Sequence, residues 1–397
     1  MRDVHVIGAH MVPMGKYPDR TLRDLGRDAV EGALADAGVA KEAVEAAYVG
    51  SSFAGIMTGQ EAIRGQVMLR AAGIGDIPVL NFENACAAAA SAFHAAAMAI
   101  AAGQYDLMLV AGVDKLWHRD RKVSMKALGG AMDVVAMDWL LNPPEGDGET
   151  QGSLFMDYYY GRIAREHMER HGTTERQLAL VAVKNRQHAA LNPFAQYRTP
   201  ITIEDVLGAP MVSKPLTTLM CSPLTDGAGA AVLASAEVAR RYTTRPVTVA
   251  ATAIRSGQDP KPGGRPAVER TSREAYDKAG IGPEDLSFAE VHEASAVAEL
   301  IVCEELGLCR SGDGGRLLED GATHLGGRVP VNPGGGLLSR GHPGAATGMA
   351  QIVESYWQLA GKAGAREVKE ATVGLAHSSG GLIGDEAACT VITILKR

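Results

Sequence analysis

Ile77-Pro78-Val79-Leu80-Asn81-Phe82-Glu83-Asn84-Ala85-Cys86 runs without a break into Ala87-Ala88-Ala89-Ala90-Ser91-Ala92-Phe93-His94 and on to Ala102. The apolar entry, Ile77 to Leu80, reads as a short buried strand, and Ala87 to Ala102 as a helix of very small side chains. Cys86 then falls at a strand-to-helix junction, on the first turn of the helix. Unpaired N–H groups and the positive end of the helix dipole gather there. Such a setting is expected to lower a thiol pKa and favour the nucleophilic thiolate. The competing reading is a small buried cysteine in a core helix, because free cysteine is commonly buried.

Outward from this stretch the chain alternates strands and helices. Val4 to Gly8 reads as a first strand. Thr21 is an N-cap for a helix carrying Leu22, Leu25, Ala29, Ala33 and Leu34 at helical spacing, and Gly38 closes it. Val44 to Gly50 is the next strand, and Asp106 to Gly112 a mostly apolar strand of the buried parallel kind. Then an internal repeat appears. Ala37-Gly38-Val39, Glu42, Val44 and Val49 recur as Ala279-Gly280-Ile281, Glu284, Leu286 and Val291, at a constant offset of 242 residues. Helix, glycine cap, short loop and strand follow in the same order in both copies. A duplicated α/β unit with a parallel or mixed sheet, helices on both faces, is the simplest architecture.

From about Lys115 to Pro215 the polarity is mixed, which suggests an inserted subdomain. It holds expected helices at Asp157 to His171 and Thr174 to Asn192, and a loop at Asn142 to Gly148. Tyr158, Tyr159 and Tyr160 cannot share one helix face, so at most two of them would line a tunnel. His118, His167, His171 and His188 lie in this stretch and are expected at the surface. His94, on the cysteine helix, is expected to pack in the core.

Composition bounds the function. The chain has 397 residues, 46% of them hydrophobic and 21% charged, which suits a globular protein. A formal net charge of −7, with no run of Lys and Arg, argues against a nucleic-acid surface. Five widely spaced cysteines, with no C-x-x-C pair, argue against a disulfide framework and a structural zinc site and suit the cytoplasm. The start of the chain has a strand pattern rather than that of a signal peptide. The weakly polar run Ala85 to Ala102 makes a poor membrane span.

Three motifs in the second half fall at the ends of expected strands, where α/β sheets place their sites. They are Val291-His292-Glu293-Ala294-Ser295, the glycine-rich run Val331 to Gly348 with His342 in its middle, and His377-Ser378-Ser379-Gly380-Gly381. The second is too glycine-rich for a packed core and leads into a helix from about Ala346. Glu293 orders a neighbouring loop or acts as a base. Asp226-Gly227 shapes a tight turn. No Lys-Ser/Thr follows Gly334 to Gly336, which excludes a phosphate-binding loop of the nucleoside triphosphatases.

Gly341-His342-Pro343, with Asn84-Ala85-Cys86 and Asp226-Gly227-Ala228, resembles the diagnostic sites of the thiolase superfamily, and the resemblance spans the chain. His292-Glu293-Ala294 and the wording from Pro330 to Gly348 are most similar to the sterol-carrier-protein-type thiolases and their bacterial and archaeal relatives. The usual thiolase has Asn at the place of His292. The resemblance implies the thiolase fold, a duplicated α/β/α/β/α five-layer core with a loop domain over coenzyme A. Residues 1–240 would form the N-terminal half, with the insertion at about 115–215, and residues 245–397 the C-terminal half. It implies a homodimer or a dimer of dimers. It also implies that Cys86 accepts the acyl group as a thioester and that His342 takes the thiol proton. His292 would hold the second substrate's oxyanion, and the backbone N–H groups of Cys86 and Gly380 an oxyanion hole. Coenzyme A would be a co-substrate, with no permanently bound cofactor and no metal.

Two departures from the family pattern matter. Ser378-Ser379-Gly380 stands where ordinary thiolases carry a second catalytic cysteine, and Ala294 where many sterol-carrier-type thiolases place it. Cys389 lies on the last expected strand and reads as core. Relatives with this departure often pair with a small OB-fold and zinc-ribbon protein, and include acyltransferases, thiolases for aromatic succinyl-type CoA esters, and aldolases that shorten steroid side chains. The expected activity is CoA-dependent cleavage or formation of a 3-oxoacyl-CoA through acyl-Cys86, for a bulky or aromatic acyl group such as benzoylsuccinyl. A retro-aldolase working with the small partner, and a non-catalytic acyl-CoA or lipid carrier, are the alternatives.

Overall fold

The computed structural model describes residues 2–137, 156–259 and 264–397. The expected loop Asn142 to Gly148 lies outside the described residues. Nine strands form one mixed sheet in the order β3-β2-β4-β7-β1-β8-β11-β10-β9. They are β1 (Val4–Met11), β2 (Ala46–Gly50), β3 (Val79–Phe82), β4 (Leu107–Asp114), β7 (Gly227–Ser235), β8 (Val247–Ser256), β9 (Phe288–Glu290), β10 (Val373–Ile383) and β11 (Glu386–Lys396). Two short strands, β5 (Met211–Ser213) and β6 (Leu216–Thr217), pair apart from it.

Inward from β2 on one side and from β9 on the other, the sheet repeats one pattern, with β3 added outside β2. β2 is parallel to β4, which is antiparallel to β7, itself antiparallel to β1. β9, β10, β11 and β8 repeat that pattern. The two runs meet at a seam of only two residue pairs, His5 with Thr248 and Val6 with Val247. The repeat seen in the sequence occupies matching places. Helix α1 (Leu22–Ala37) ends on left-handed Gly38 and α7 (Ala267–Ala279) on left-handed Gly280, each followed by a 3₁₀ turn and then by β2 or β9. Thr21 caps α1 through a capping box with Asp24.

The remaining helices named here are α2 (Arg64–Ala71), α3 (Ala88–Ala101), α4 (Arg121–Gly129), α5 (Arg162–His171), α6 (Glu175–Ala190), α8 (Ala296–Glu305) and α9 (Ala346–Ala360). α1 covers β1 and β7 on one outside face, and α7 covers β8 and β11 on the other. Between the two runs of strands lie α3 and α9, side by side, each touching both runs. The result is five layers, helix, sheet, helix pair, sheet, helix.

The alanines of α3 explain how a helix fits there. A Cβ on Gly50 would lie 2.4 Å from the Ala89 backbone nitrogen, and one on Gly112 2.5 Å from the Ala89 Cβ. Backbones in this layer approach too closely for larger side chains. α9 is fastened differently, by buried polar groups. Tyr356 Oη donates to the Ile7 carbonyl at 3.1 Å, where β1 shifts register against β7. Trp357 Nε1 donates to the Ala9 carbonyl at 3.1 Å, and Arg366 holds Glu354 through two bonds of 2.9 and 3.0 Å.

Three expectations are corrected here. The strand ahead of Cys86 is an edge strand, with Leu80 49% exposed, because β2 flanks it on one side only. The glycine-rich run is packed core throughout Val331 to Gly348, since absent side chains let backbone pass between α6, α9 and the sheet. His167 and His188 are buried, while His118 and His171 are exposed. His167 bonds Thr173 and Glu304, and His188 bonds the Asn332 carbonyl. Paired imidazoles of this kind suit an interior. His94 is half-buried against Thr252, with Nδ1 to Oγ1 at 3.0 Å.

Candidate active site

β3 ends at Phe82, and the chain turns through Ala85–Ala87 before α3 begins. Ala85 has φ +47°, a left-handed conformation that costs an alanine about 1–2 kcal/mol. The turn is held by its neighbours. Glu83 accepts the Ala85 N–H at 2.7 Å, Ser52 Oγ donates to the Ala85 carbonyl at 2.8 Å, and Asn84 Nδ2 donates to Ser91 Oγ at 2.9 Å. From the other side β10 presses its backbone on the turn. A Cβ on Gly380 would lie 2.1 Å from the Asn84 carbonyl oxygen and 2.5 Å from the Ala87 nitrogen. Glycine at 380 is thus a steric requirement, and its main chain lies against the residues flanking Cys86.

His342 arrives from the opposite direction, just before α9. Its N–H donates to Thr225 Oγ1 at 3.1 Å, and that hydroxyl donates to Gln196 Oε1 at 2.6 Å. Nε2 lies 3.5 Å from Cys86 Sγ, and Nδ1 lies 2.7 Å from Thr347 Oγ1. An imidazole that takes a proton on Nε2 carries one on Nδ1, which Thr347 Oγ1 then accepts. The His292 ring stands perpendicular to that of His342, centroids 5.0 Å apart. Donor atoms of Cys86, His292 and His342 lie within 4.8 Å of one another. Residues 256 positions apart in the sequence are thereby brought together.

Electrostatics sets the resting state. Burial, and next the buried Asp114 carboxyl, push the Cys86 thiol up to about 12. Burial holds His342 down at about 4, and His292 well below the ordinary imidazole value. The resting pair is a neutral thiol beside a neutral imidazole. This corrects the expected thiolate: desolvation and a nearby carboxyl outweigh the partial charge of a helix end.

Two residues beyond the expected set shape the site. Asp114, the last residue of β4, accepts N–H bonds from Ser52, Phe53, Ala54 and Ala345, tying the cysteine side to the histidine side. Its signal was an acid closing an otherwise apolar strand. His377 accepts the His292 N–H on Nδ1 at 3.3 Å, which leaves its proton on Nε2, 2.8 Å from Ser379 Oγ. Glu293 is buried, which pushes its carboxyl well above the ordinary carboxylate range, and accepts from Leu338 N–H and Asn185 Nδ2. It orders the glycine-rich run. Asp226 accepts three backbone N–H groups, of Tyr17, Leu116 and Trp117, and so clamps loops rather than forming a simple turn. All five cysteines are free, and Cys389 is buried, its Sγ 3.8 Å from Ser91 Oγ.

Cys86, His292 and His342 open on a cavity of 1260 Å³. Cys221 also lines it, beside Ala294, whose carbonyl accepts the Ser222 N–H. A basic stretch of its lining is made by Lys16, Arg119, Arg121, Lys122 and Lys126 with Trp117. Tyr159 and Tyr160 form part of its wall, while Tyr158 stacks on Arg162. The π-helical turn Asp157–Gly161 gives the first two neighbouring places on the cavity.

Family models match the chain along nearly its whole length, the thiolase N-terminal domain over residues 4–237 and the thiolase C-terminal domain-like model over 249–396. The chain belongs to the thiolase superfamily, and its class is that of the acyltransferases. It is 39% identical to an acetyl-CoA acetyltransferase of Methanothermobacter thermautotrophicus, covering 98% of each chain. It is 34% identical to the benzoylsuccinyl-CoA thiolase subunit BbsB of Thauera aromatica, over 96% of this chain and 95% of that one. Among solved structures, an Ltp2-ChsH2(DUF35) aldolase chain superposes with a TM-score of 0.79 at 25% identity, covering 98% of this chain and 97% of that one. Among the described residues no helix is long and apolar enough to cross a membrane.

Proposed function

We propose that this chain transfers acyl groups between Cys86 and coenzyme A, cleaving a 3-oxoacyl-CoA or forming one by condensation. The observation that carries this reading is the 3.5 Å approach of His342 Nε2 to Cys86 Sγ inside a cavity large enough for an acyl chain. In the cleavage direction His342 takes the thiol proton as sulfur attacks the 3-oxo carbon. The Cys86 and Gly380 N–H groups receive the oxyanion. The bond to the α-carbon breaks, and its electron pair passes to the shortened thioester as an enolate, whose oxygen faces His292. The proton held by His342 returns to that carbon. The thiol of coenzyme A then attacks acyl-Cys86 and its proton returns by the same imidazole to Cys86. One histidine thus serves both half-reactions without a second cysteine.

The basic stretch of the cavity lining suits the phosphates of coenzyme A. The size of the chamber, and the likeness to a benzoylsuccinyl-CoA thiolase subunit, favour a bulky or aromatic acyl group. Reduced thiols favour a cytoplasmic setting. A homodimer, or a dimer of dimers, follows from the family.

The second reading is retro-aldol cleavage with a small OB-fold and zinc-ribbon partner. The aldolase likeness and the absence of cysteine at positions 294 and 378 favour it. A non-catalytic carrier would bind acyl-CoA stoichiometrically without turnover. Intact-mass measurement after mixing with a panel of acyl-CoAs separates the three. The expected result is an adduct on Cys86 that Cys86→Ala abolishes, with turnover falling by at least about a thousandfold. Carbon–carbon cleavage that survives Cys86→Ala would establish the aldolase reading.

A further inference from the structure

The cavity also runs beside α8. Ala298, Ile301, Val302 and Glu305 fall at helical spacing on one face of that helix, and all four line the chamber. At 1.5 Å per residue the wall extends about 10 Å from Ala298 to Glu305. It is apolar until its last step, where a carboxyl group appears. Tyr159 and the β10–β11 turn, with Asp385 and Glu386, complete that end.

Glu305 makes no hydrogen bond or ion pair with the described residues. The two nearby cations are taken, Arg162 by Asp385 at 2.7 Å and Arg270 by Glu386 at 2.9 Å. Burial, with Glu386 next and then Glu269 and Glu304, pushes Glu305 up to about 8. That shift favours the carboxylic acid form, which has a hydrogen to donate. An apolar corridor ending in an unpaired donor is the negative image of a ligand, apolar along its length and polar at its tip. An anionic tip would meet Asp385 and Glu386, and among the described residues Arg162 and Arg270 are already paired with them. A plain hydrocarbon tip would leave the half-buried carboxyl without a partner.

We propose that Glu305 selects acyl groups whose tail ends in a neutral oxygen, a hydroxyl or a carbonyl, held by its carboxyl where the α8 wall ends. This rests on the reading of Cys86 as the acyl acceptor.

The test compares a medium-chain acyl-CoA with its ω-hydroxy and ω-carboxy counterparts. Dissociation constants are measured by calorimetry on the full chain carrying Cys86→Ala, so binding is read without turnover. The ω-hydroxy ligand is expected to bind about tenfold tighter than the plain one, the worth of one hydrogen bond and of not leaving its donor dry. Adding Glu305→Leu removes the preference, whereas Glu305→Gln, whose amide still donates, keeps most of it. With Cys86 intact, Glu305→Leu lowers kcat/KM for the ω-hydroxy chain through KM rather than through kcat. Equal affinity for plain and ω-hydroxy chains, a preference that persists in Glu305→Leu, or tightest binding of the ω-carboxy chain would each overturn the proposal. Retained tail preference with no Cys86 adduct from any ligand would instead overturn the acyl-transfer reading and leave the tail site standing.

Discussion

The two halves of the sheet share one plan but hold their chemistry by different means. Each sends a central helix into the middle layer with a reactive side chain just ahead of it, Cys86 before α3 and His342 before α9. On the cysteine side the position is set by main chain. A left-handed alanine, a glycine with no room for a Cβ and bonds to backbone atoms leave the turn one course. On the histidine side two hydroxyls do the holding, Thr225 Oγ1 on the His342 main-chain N–H and Thr347 Oγ1 on its ring. A duplicated scaffold brings two helix ends together.

The sharpest test of this contrast is the ionisation of the thiol. A pKa raised towards 12 favours S–H, so the thiolate fraction at pH 7 is lower than that of an ordinary thiol near 8.5. Alkylation of Cys86 by iodoacetamide, followed by peptide mass, should at pH 7 be on the order of a thousandfold slower than for a free thiol. Its rate should climb roughly tenfold per pH unit beyond pH 9. A flat profile from low pH would show a standing thiolate–imidazolium pair and break the comparison. Next in size is Gly380→Ala. The added carbon meets backbone atoms, which have nowhere to go, so the variant should lose about 2 kcal/mol of stability in denaturant unfolding. Cys86 acylation should slow by about a hundredfold as its N–H groups shift. The smallest effect belongs to the histidine side. Thr347→Val removes one neutral acceptor, worth about 1 kcal/mol, so acylation should slow by roughly five- to tenfold. Thr347→Ser should restore it, because only the hydroxyl is used. A Thr347→Val loss as large as that of Gly380→Ala would erase the distinction between the two sides.

Much of this arrangement was legible in the chain. The run from Ile77 to Ala102 announced a strand, a turn and a small-residue helix, and the offset between Gly38 and Gly280 announced the duplication. Cys86, His292 and His342 were nameable from their motifs, and the fold then brings their donor atoms within 4.8 Å. What escaped depends on the third dimension. Nothing local distinguishes an edge strand from a central one, so Leu80 appeared buried. Glycines signal loops in a linear reading, yet from Gly334 to Gly348 they signal close approach. Burial reverses the sign of the helix-end argument at Cys86, and burial is a sum over distant segments. The roles of Asp114 and His377 likewise exist only after β4 and β10 have been placed beside their partners.

The seam between β1 and β8, only two residue pairs long, has a consequence for how the molecule is made. So little sheet joins the halves that their union falls to α3 and α9, and α9 lies near the end of the chain. While the ribosome is still translating the second half, α3 has one of its two sheets and no companion helix. The emerging first half therefore carries an uncovered alanine face until α9 and the β10–β11 hairpin arrive to close over it, and Cys86 meets His342 only then.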